Sequence, residues 1–117
     1  MVNLEQVRRF ALSLPEATEE PHFEKSSFRV GGKIFATVPA GGRHLHVFVD
    51  EHEARASVAD DPSAFEELHW GKKLAGVRVD LLVADRTAVF ELLEEAWRRK
   101  APKRLIAALD ATDRTKG

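Results

Sequence analysis

The 117-residue chain has no cysteine. That excludes a disulfide scaffold, a thiolate zinc site and a thiol nucleophile, and it suits a reducing compartment. Long hydrophobic runs are also missing: nothing approaches the roughly 18–20 apolar residues needed to span a bilayer. The start, Met1-Val2-Asn3-Leu4-Glu5, lacks the basic and apolar regions of a signal peptide. Charge of one sign is lacking too, because 18 Lys and Arg face 19 Asp and Glu for a formal net charge of −1. A dedicated nucleic-acid binder is usually strongly basic, so a reading of that kind must rest on where the charges sit. No nucleophile elbow and no phosphate loop ending in Lys-Ser or Lys-Thr is present, so the chain reads as no enzyme and no cofactor is expected. What is there, 44% hydrophobic and 32% charged residues, is the balance of a soluble, cytoplasmic single domain, 1–117, with one core.

Apolar periodicity and punctuation set the element order. Asn3 caps a helix whose Leu4, Val7, Ala11 and Leu14 fall three and four apart, with Phe10 widening the stripe and Pro15 stopping it. The acidic stretch 16–24 holds Pro21, so a strand there belongs at a sheet edge, where a missing N–H costs little. Residues 27–30, 34–38 and 45–49 read as an antiparallel meander. Leu45, Val47 and Val49 alternate with His44, His46 and Phe48, so the two sets face opposite sides. Asp50 with Glu53 forms a capping-box pattern opening a short Ala-rich helix to about residue 59. Residues 65–70 and 76–83 make a second hairpin. Asp85 caps the most regular helix, with Val89, Leu92, Leu93, Ala96 and Trp97 on one face. Pro102 opens a last short helix bearing Leu105, Ile106 and Leu109, followed by a frayed polar tail from 110 to 117. The fold expected is α+β, an antiparallel-rich twisted sheet with helices packed on one face.

Three turns place glycine beside a base: Gly31-Gly32-Lys33, Gly41-Gly42-Arg43-His44 and Gly71-Lys72-Lys73. Strand direction separates them. Successive tips of a meander alternate ends of the sheet, so Lys33 lies at one end and Arg43 at the other. A helix of about ten residues rises about 15 Å, close to the length of a strand of about five residues, and so returns the chain to the Arg43 end. The strand 65–70 then delivers Lys72 and Lys73 beside Lys33, and the helix from Asp85 brings Arg98, Arg99 and Lys100 to the same end. The expectation is an anion-binding edge made of two hairpin tips and a helix end, with Arg43 left out and Arg29 secondary. Its alternative is that Glu66, Glu67 and the 16–24 stretch neutralise it. Bases at a helix C-terminus are also favoured by the macrodipole alone.

Leu14-Pro15-Glu16-Ala17-Thr18-Glu19, Phe28-Arg29-Val30-Gly31-Gly32-Lys33-Ile34-Phe35-Ala36, and Glu95-Ala96-Trp97-Arg98 with Ala101-Pro102-Lys103 resemble the MmcQ/YjbR-like family. The resemblance implies a fold similar to that of CyaY and a "double wing" arrangement suggested to bind DNA. Its implied phosphate contacts are Lys33, Lys72, Lys73, Arg98, Arg99 and Lys100, read from the tips above. Many relatives carry a lysine where this chain has Phe48, which removes a cation from that face. Similarity to CyaY does not extend to iron handling, because residues 4–14 hold only Glu5 among acids beside Arg8 and Arg9.

Two further readings compete. His44-x-His46 puts two imidazoles on one strand face at a spacing that can chelate a metal, but a third ligand from His22, His69 or an acid is needed, so no metal is assigned. Phe35 and Phe48 with His46 would form an exposed aromatic patch for a protein or small ligand if the helix-free face carries them. Phe28, Trp70 and Trp97 invite an aromatic-stacking reading for single strands, with Trp97 assigned to the core. Glu94 and Glu95 precede Arg98 and Arg99 at the spacing of surface ion pairs.

Overall fold

A computed structural model describes residues 2–22 and 25–116 and has the α+β architecture expected. In chain order the elements are α1 (Leu4–Ser13), β1 (Thr18–His22), β2 (Lys25–Val30), β3 (Lys33–Val38), β4 (His44–Val47), α2 (Glu51–Asp60), β5 (Phe65–Trp70), β6 (Lys73–Asp80), α3 (Arg86–Lys100) and α4 (Lys103–Lys116). The six strands form one antiparallel sheet in the order β1-β2-β3-β4-β6-β5. Pro21 lies in β1, the edge strand, where it withholds no ladder hydrogen bond from a second neighbour.

The helix ends follow their caps. Asn3 Oδ1 accepts from Gln6 N at 2.8 Å while Gln6 Oε1 accepts from Asn3 N at 3.0 Å, a reciprocal box that starts α1. Asp50 Oδ1 accepts from Glu53 N at 2.9 Å and Asp85 Oδ2 from Ala88 N at 3.1 Å, starting α2 and α3. The stripe Val89, Leu92, Leu93, Ala96 and Trp97 is buried throughout. It packs on β2, β3 and β4, while α2 covers β5 and β6 and α1 lies against α3. Burying one such Leu or Val contributes about 1.5–3 kcal/mol, so this stripe is where α3 draws its stability. Leu45, Val47 and Val49 are buried in the core, and His44, His46 and Phe48 on the other side are only half-buried.

Three expectations are corrected. The strand expected over 76–83 begins earlier and ends earlier, as Lys73–Asp80, because Gly71 at φ 61° closes the turn at once and residues 81–83 already turn toward α3. The polar tail is not frayed after 110: α4 runs to Lys116, and Asp110 is tied to Arg98 at 2.7 Å. Phe35 is not on an exposed face but wholly buried, its ring 6.4 Å from that of Phe28. The cause is a register shift. Phe28 pairs with Ala36 but the next residue, Arg29, pairs with Ile34, so Phe35 is the extra residue of a bulge and strict alternation fails there.

Candidate basic cleft

The register fixes which tips share an end. In β4, His44 pairs with Asp80 and Val47 with Val77, so β4 ends where β6 begins. Lys73, the first residue of β6, therefore lies at the same end as Lys33, the first residue of β3. Gly31 and Gly32 both hold positive φ, 59° and 78°, as a two-residue type I′ hairpin requires. Helix α3 runs back along the sheet and ends there as well. A cleft of about 490 Å³ opens between these parts, with Lys72, Lys73, Arg99 and Lys100 on its walls. Ile34, Phe48 and Trp70 supply apolar surface.

Electrostatics shows how tightly the cations gather. Burial pushes the Lys100 ammonium below the usual lysine range, and Arg99, Lys33 and Lys73 push it further. A lysine is lowered by neighbours only when like charges stand near it, so four bases from two hairpins and one helix end share a field. Asp50 and Glu51, at the start of α2, enter the cleft too, but Asp50 caps its helix and Glu51 holds Arg55 at 2.9 Å. Arg99 donates to the Phe48 carbonyl at 3.1 Å, which pins the helix end to the strand.

The described acids that threatened neutralisation are engaged elsewhere, and Glu24 lies outside the described residues. Glu66 pairs with Arg78 at 3.1 Å and Glu67 with His69 at 3.4 Å. Glu16 holds Arg104 at 2.9 Å, and Glu19 holds Arg8 at 2.6 Å with Ser26 at 2.8 Å, which keeps the Glu19 carboxyl below the usual range. Arg29 turns to Ser27 Oγ at 3.0 Å and lies 3.8 Å from Glu20, away from the cleft. Arg98 is also removed from the expected set. It lies on the helix flank between Glu94 at 3.2 Å and Asp110 at 2.7 Å, because α4 folds back and brings Asp110 across to it.

Trp70, Ile34, Val49, Leu74 and Ala75 line the cleft outside both expected contact sets, as do the acids Asp50 and Glu51. Trp70 is 59% exposed, the most open large apolar side chain among the described residues, and its ring lies 5.1 Å from that of Phe48. Its neighbour Gly71, at a tip already assigned to this end, was the signal available. The same strand-direction argument also placed the start of α2, hence Asp50 and Glu51, at this end.

The helix-free face differs from the aromatic patch once expected. Pairing aligns Glu20, Ser27, Thr37, His46, Arg78 and Glu66, one residue from each strand. Ser27 and Thr37 are buried and polar, and Ser27 Oγ donates to the Glu20 carbonyl at 2.9 Å. With Phe35 in the core and Phe48 against Trp70, only His46 of that trio stands in this polar row. His44 lies 3.4 Å from Arg78 through its Nδ1. Among the described residues no group of three or more His, Asp or Glu side chains comes together in a way that could hold a metal. His22 was the other possible ligand, and its side chain lies outside what is described.

A family model described as YjbR matches residues 12–99. That span contains the Leu14–Glu19 and Phe28–Ala36 blocks and the Glu95–Arg98 block that carried the resemblance; Ala101-Pro102-Lys103 falls beyond it. No curated protein and no solved structure matches the chain.

Proposed function

The chain belongs to the YjbR family, and we propose that it is a binding module that grips the phosphate backbone of DNA. Lys33, Lys72, Lys73, Arg99 and Lys100 are the contacts, the two hairpin tips acting as wings on either side of the end of α3. The carrying observation is the gathering of Lys72, Lys73, Arg99 and Lys100 on the walls of one cleft, where burial first, and then Arg99, Lys33 and Lys73, lower the Lys100 ammonium. Among the described residues none of these five cations forms an ion pair with an acid. A phosphate entering the cleft relieves that mutual repulsion. A cytoplasmic location belongs to the same proposal, since a chain without cysteine needs no oxidising compartment.

Backbone contacts position a protein without reading sequence, so the binding is weak, indifferent to sequence and steeply salt-dependent. Fluorescence anisotropy with duplex DNA at low and moderate salt tests it. The logarithm of the affinity should fall with log salt by about 0.9 per contact, hence by about 4.5 for the five contacts. The Lys72→Glu/Lys73→Glu variant should bind at least about tenfold more weakly. Affinity weaker than millimolar at low salt, or affinity unchanged in that variant, overturns the proposal.

A further inference from the structure

Trp70 has no structural reason to be where it is. Its indole is 59% exposed at the tip of the β5–β6 hairpin, although burying it would favour folding by a few kcal/mol. It is not loosely held either. Phe48 supports the ring at 5.1 Å and an interplanar angle of 50°, while Arg99 anchors the Phe48 backbone. The pairing that sets Trp70 across from Lys73 follows a register shift between Leu68 and His69, the type of irregularity that re-aims side chains at sheet edges. An indole held open beside Lys72, Lys73 and Lys100 combines a flat apolar platform with phosphate-binding charge.

We infer that the cleft takes an unpaired nucleotide of single-stranded DNA, with its base stacked on Trp70 and its flanking phosphates on Lys72, Lys73 and Lys100. This deepens the proposed function and rests on it. The bases of an intact duplex are stacked on each other, so an indole reaches one only at an end or after unpairing. A single strand offers its base faces without that cost, and every base has such a face. A cleft of about 490 Å³ lies within the range of small-ligand sites, enough for a nucleotide and far too small for a duplex. Charge complementarity selects the occupant. A purely apolar partner leaves the converging cations unanswered, and an inorganic phosphate leaves the indole unused.

The two tryptophans report separately. Trp97 is buried with its Nε1 donating to the Pro15 carbonyl at 3.2 Å, so quenching on ligand addition reads Trp70. The experiment titrates the full chain with a short oligo(dA), the matched duplex and tripolyphosphate, following tryptophan emission and, for the labelled DNAs, anisotropy. The expected result is quenching by the single strand and binding roughly tenfold tighter than to the duplex, the usual worth of one stacked base. Trp70→Ala should remove that preference and leave the affinity for tripolyphosphate, measured by calorimetry, unchanged. Trp70→Phe should retain part of it. Because Trp70 is exposed, the variants should melt like the parent by circular dichroism. Equal affinity for single strand and duplex, or a Trp70→Ala variant that binds oligo(dA) as the parent does, overturns the stacking inference while backbone binding stands. Binding of tripolyphosphate alone, with neither DNA bound, overturns both.

Discussion

The two ends of the sheet carry the same local signature, glycine followed by a base, and put it to opposite uses. At one end Arg43 meets Asp80 in a two-pronged pair at 2.9 and 3.2 Å, because the next residue, His44, pairs across the ladder with Asp80 itself. At the other end Lys33 stands across from Val30 and Lys73 across from Trp70, so neither finds an acid in the register. What separates a turn whose base is ion-paired from one whose base is left open is the residue on the neighbouring strand. The turn sequence alone does not carry that information.

Backbone packing gives the sharpest way to break the comparison. At Gly76 an added Cβ would lie 2.1 Å from the Val47 carbonyl and 3.0 Å from the Phe48 Cα, so β6 passes the end of β4 with room for hydrogen alone. Gly76→Ala should destabilise the chain by about 4 kcal/mol or more, or prevent folding, since neither backbone can yield. Gly41, at the Arg43 end, has nothing within 4 Å of an added Cβ and is constrained only by its φ of 100°. Gly41→Ala should cost about 1–3 kcal/mol, the usual penalty for such a conformation. Urea unfolding of both variants measures the difference. Equal losses would mean that close packing does not distinguish the cleft end.

Charge gives the next largest contrast. Lys33→Glu should weaken binding to DNA by roughly tenfold and lower the salt slope by about 1, as for any lost phosphate contact. Arg43→Glu should change the affinity less than about twofold, since its charge stands at the far end, beyond the Debye length of about 10 Å at moderate salt. Parallel anisotropy titrations decide it. A comparable loss in both variants would make the binding a matter of net charge and dissolve the distinction between the ends.

These differences show which parts were legible in advance. The order of elements and the gathering of Lys33, Lys72, Lys73 and Lys100 follow from periodicity, caps and strand direction, all of which are local. Phe35 was not legible, because a bulge opposite Phe28 resets alternation and no residue type announces it. Arg98 was half legible: its pairing with Glu94 follows from helical spacing, whereas its second partner, Asp110, comes from a helix longer than its thin apolar pattern suggests. Trp70 was half legible: its place at a tip could be read, whereas its support by Phe48 depends on how β4 and β5 lie across β6.

Proton linkage distinguishes the ends more gently. Lys100 has its ammonium lowered by burial and by Arg99, Lys33 and Lys73. In the window between that lowered pKa and the ordinary lysine value the unfolded chain binds more protons, so stability should rise with pH there. Affinity should move the other way. As pH climbs through the lowered value Lys100, half-buried at the cleft wall, loses its charge, and DNA binding should fall by roughly threefold. A Lys100→Arg variant, which keeps its charge, should lose that step. Anisotropy across the alkaline range at fixed salt tests it, and a step retained in Lys100→Arg would assign the titration to another group.

The smallest effect belongs to the Arg43 end, where the hydrogen bond from Arg43 holds the Asp80 carboxyl below the usual range, helped by the Leu82 N–H. The pH slope has the same sign as for Lys100, because both folded pKa values are lowered, but here the pairing favours the charged form instead of penalising it. A carboxyl whose folded pKa is depressed contributes stability above its unfolded pKa, and that contribution is lost as pH falls through the folded value. Arg43 is open to solvent and Asp80 partly so, hence the pair is screened and its removal should leave folding and DNA binding at neutral pH nearly unchanged. Arg43→Ala should nonetheless return the Asp80 titration, followed by NMR, toward an ordinary aspartate, leaving the Leu82 N–H and the nearby His44 to lower it. If Asp80 titrates identically with and without Arg43, the pair does not hold the charge, and Arg43 is as free to meet an anion as Lys33. The two ends would then differ in position alone.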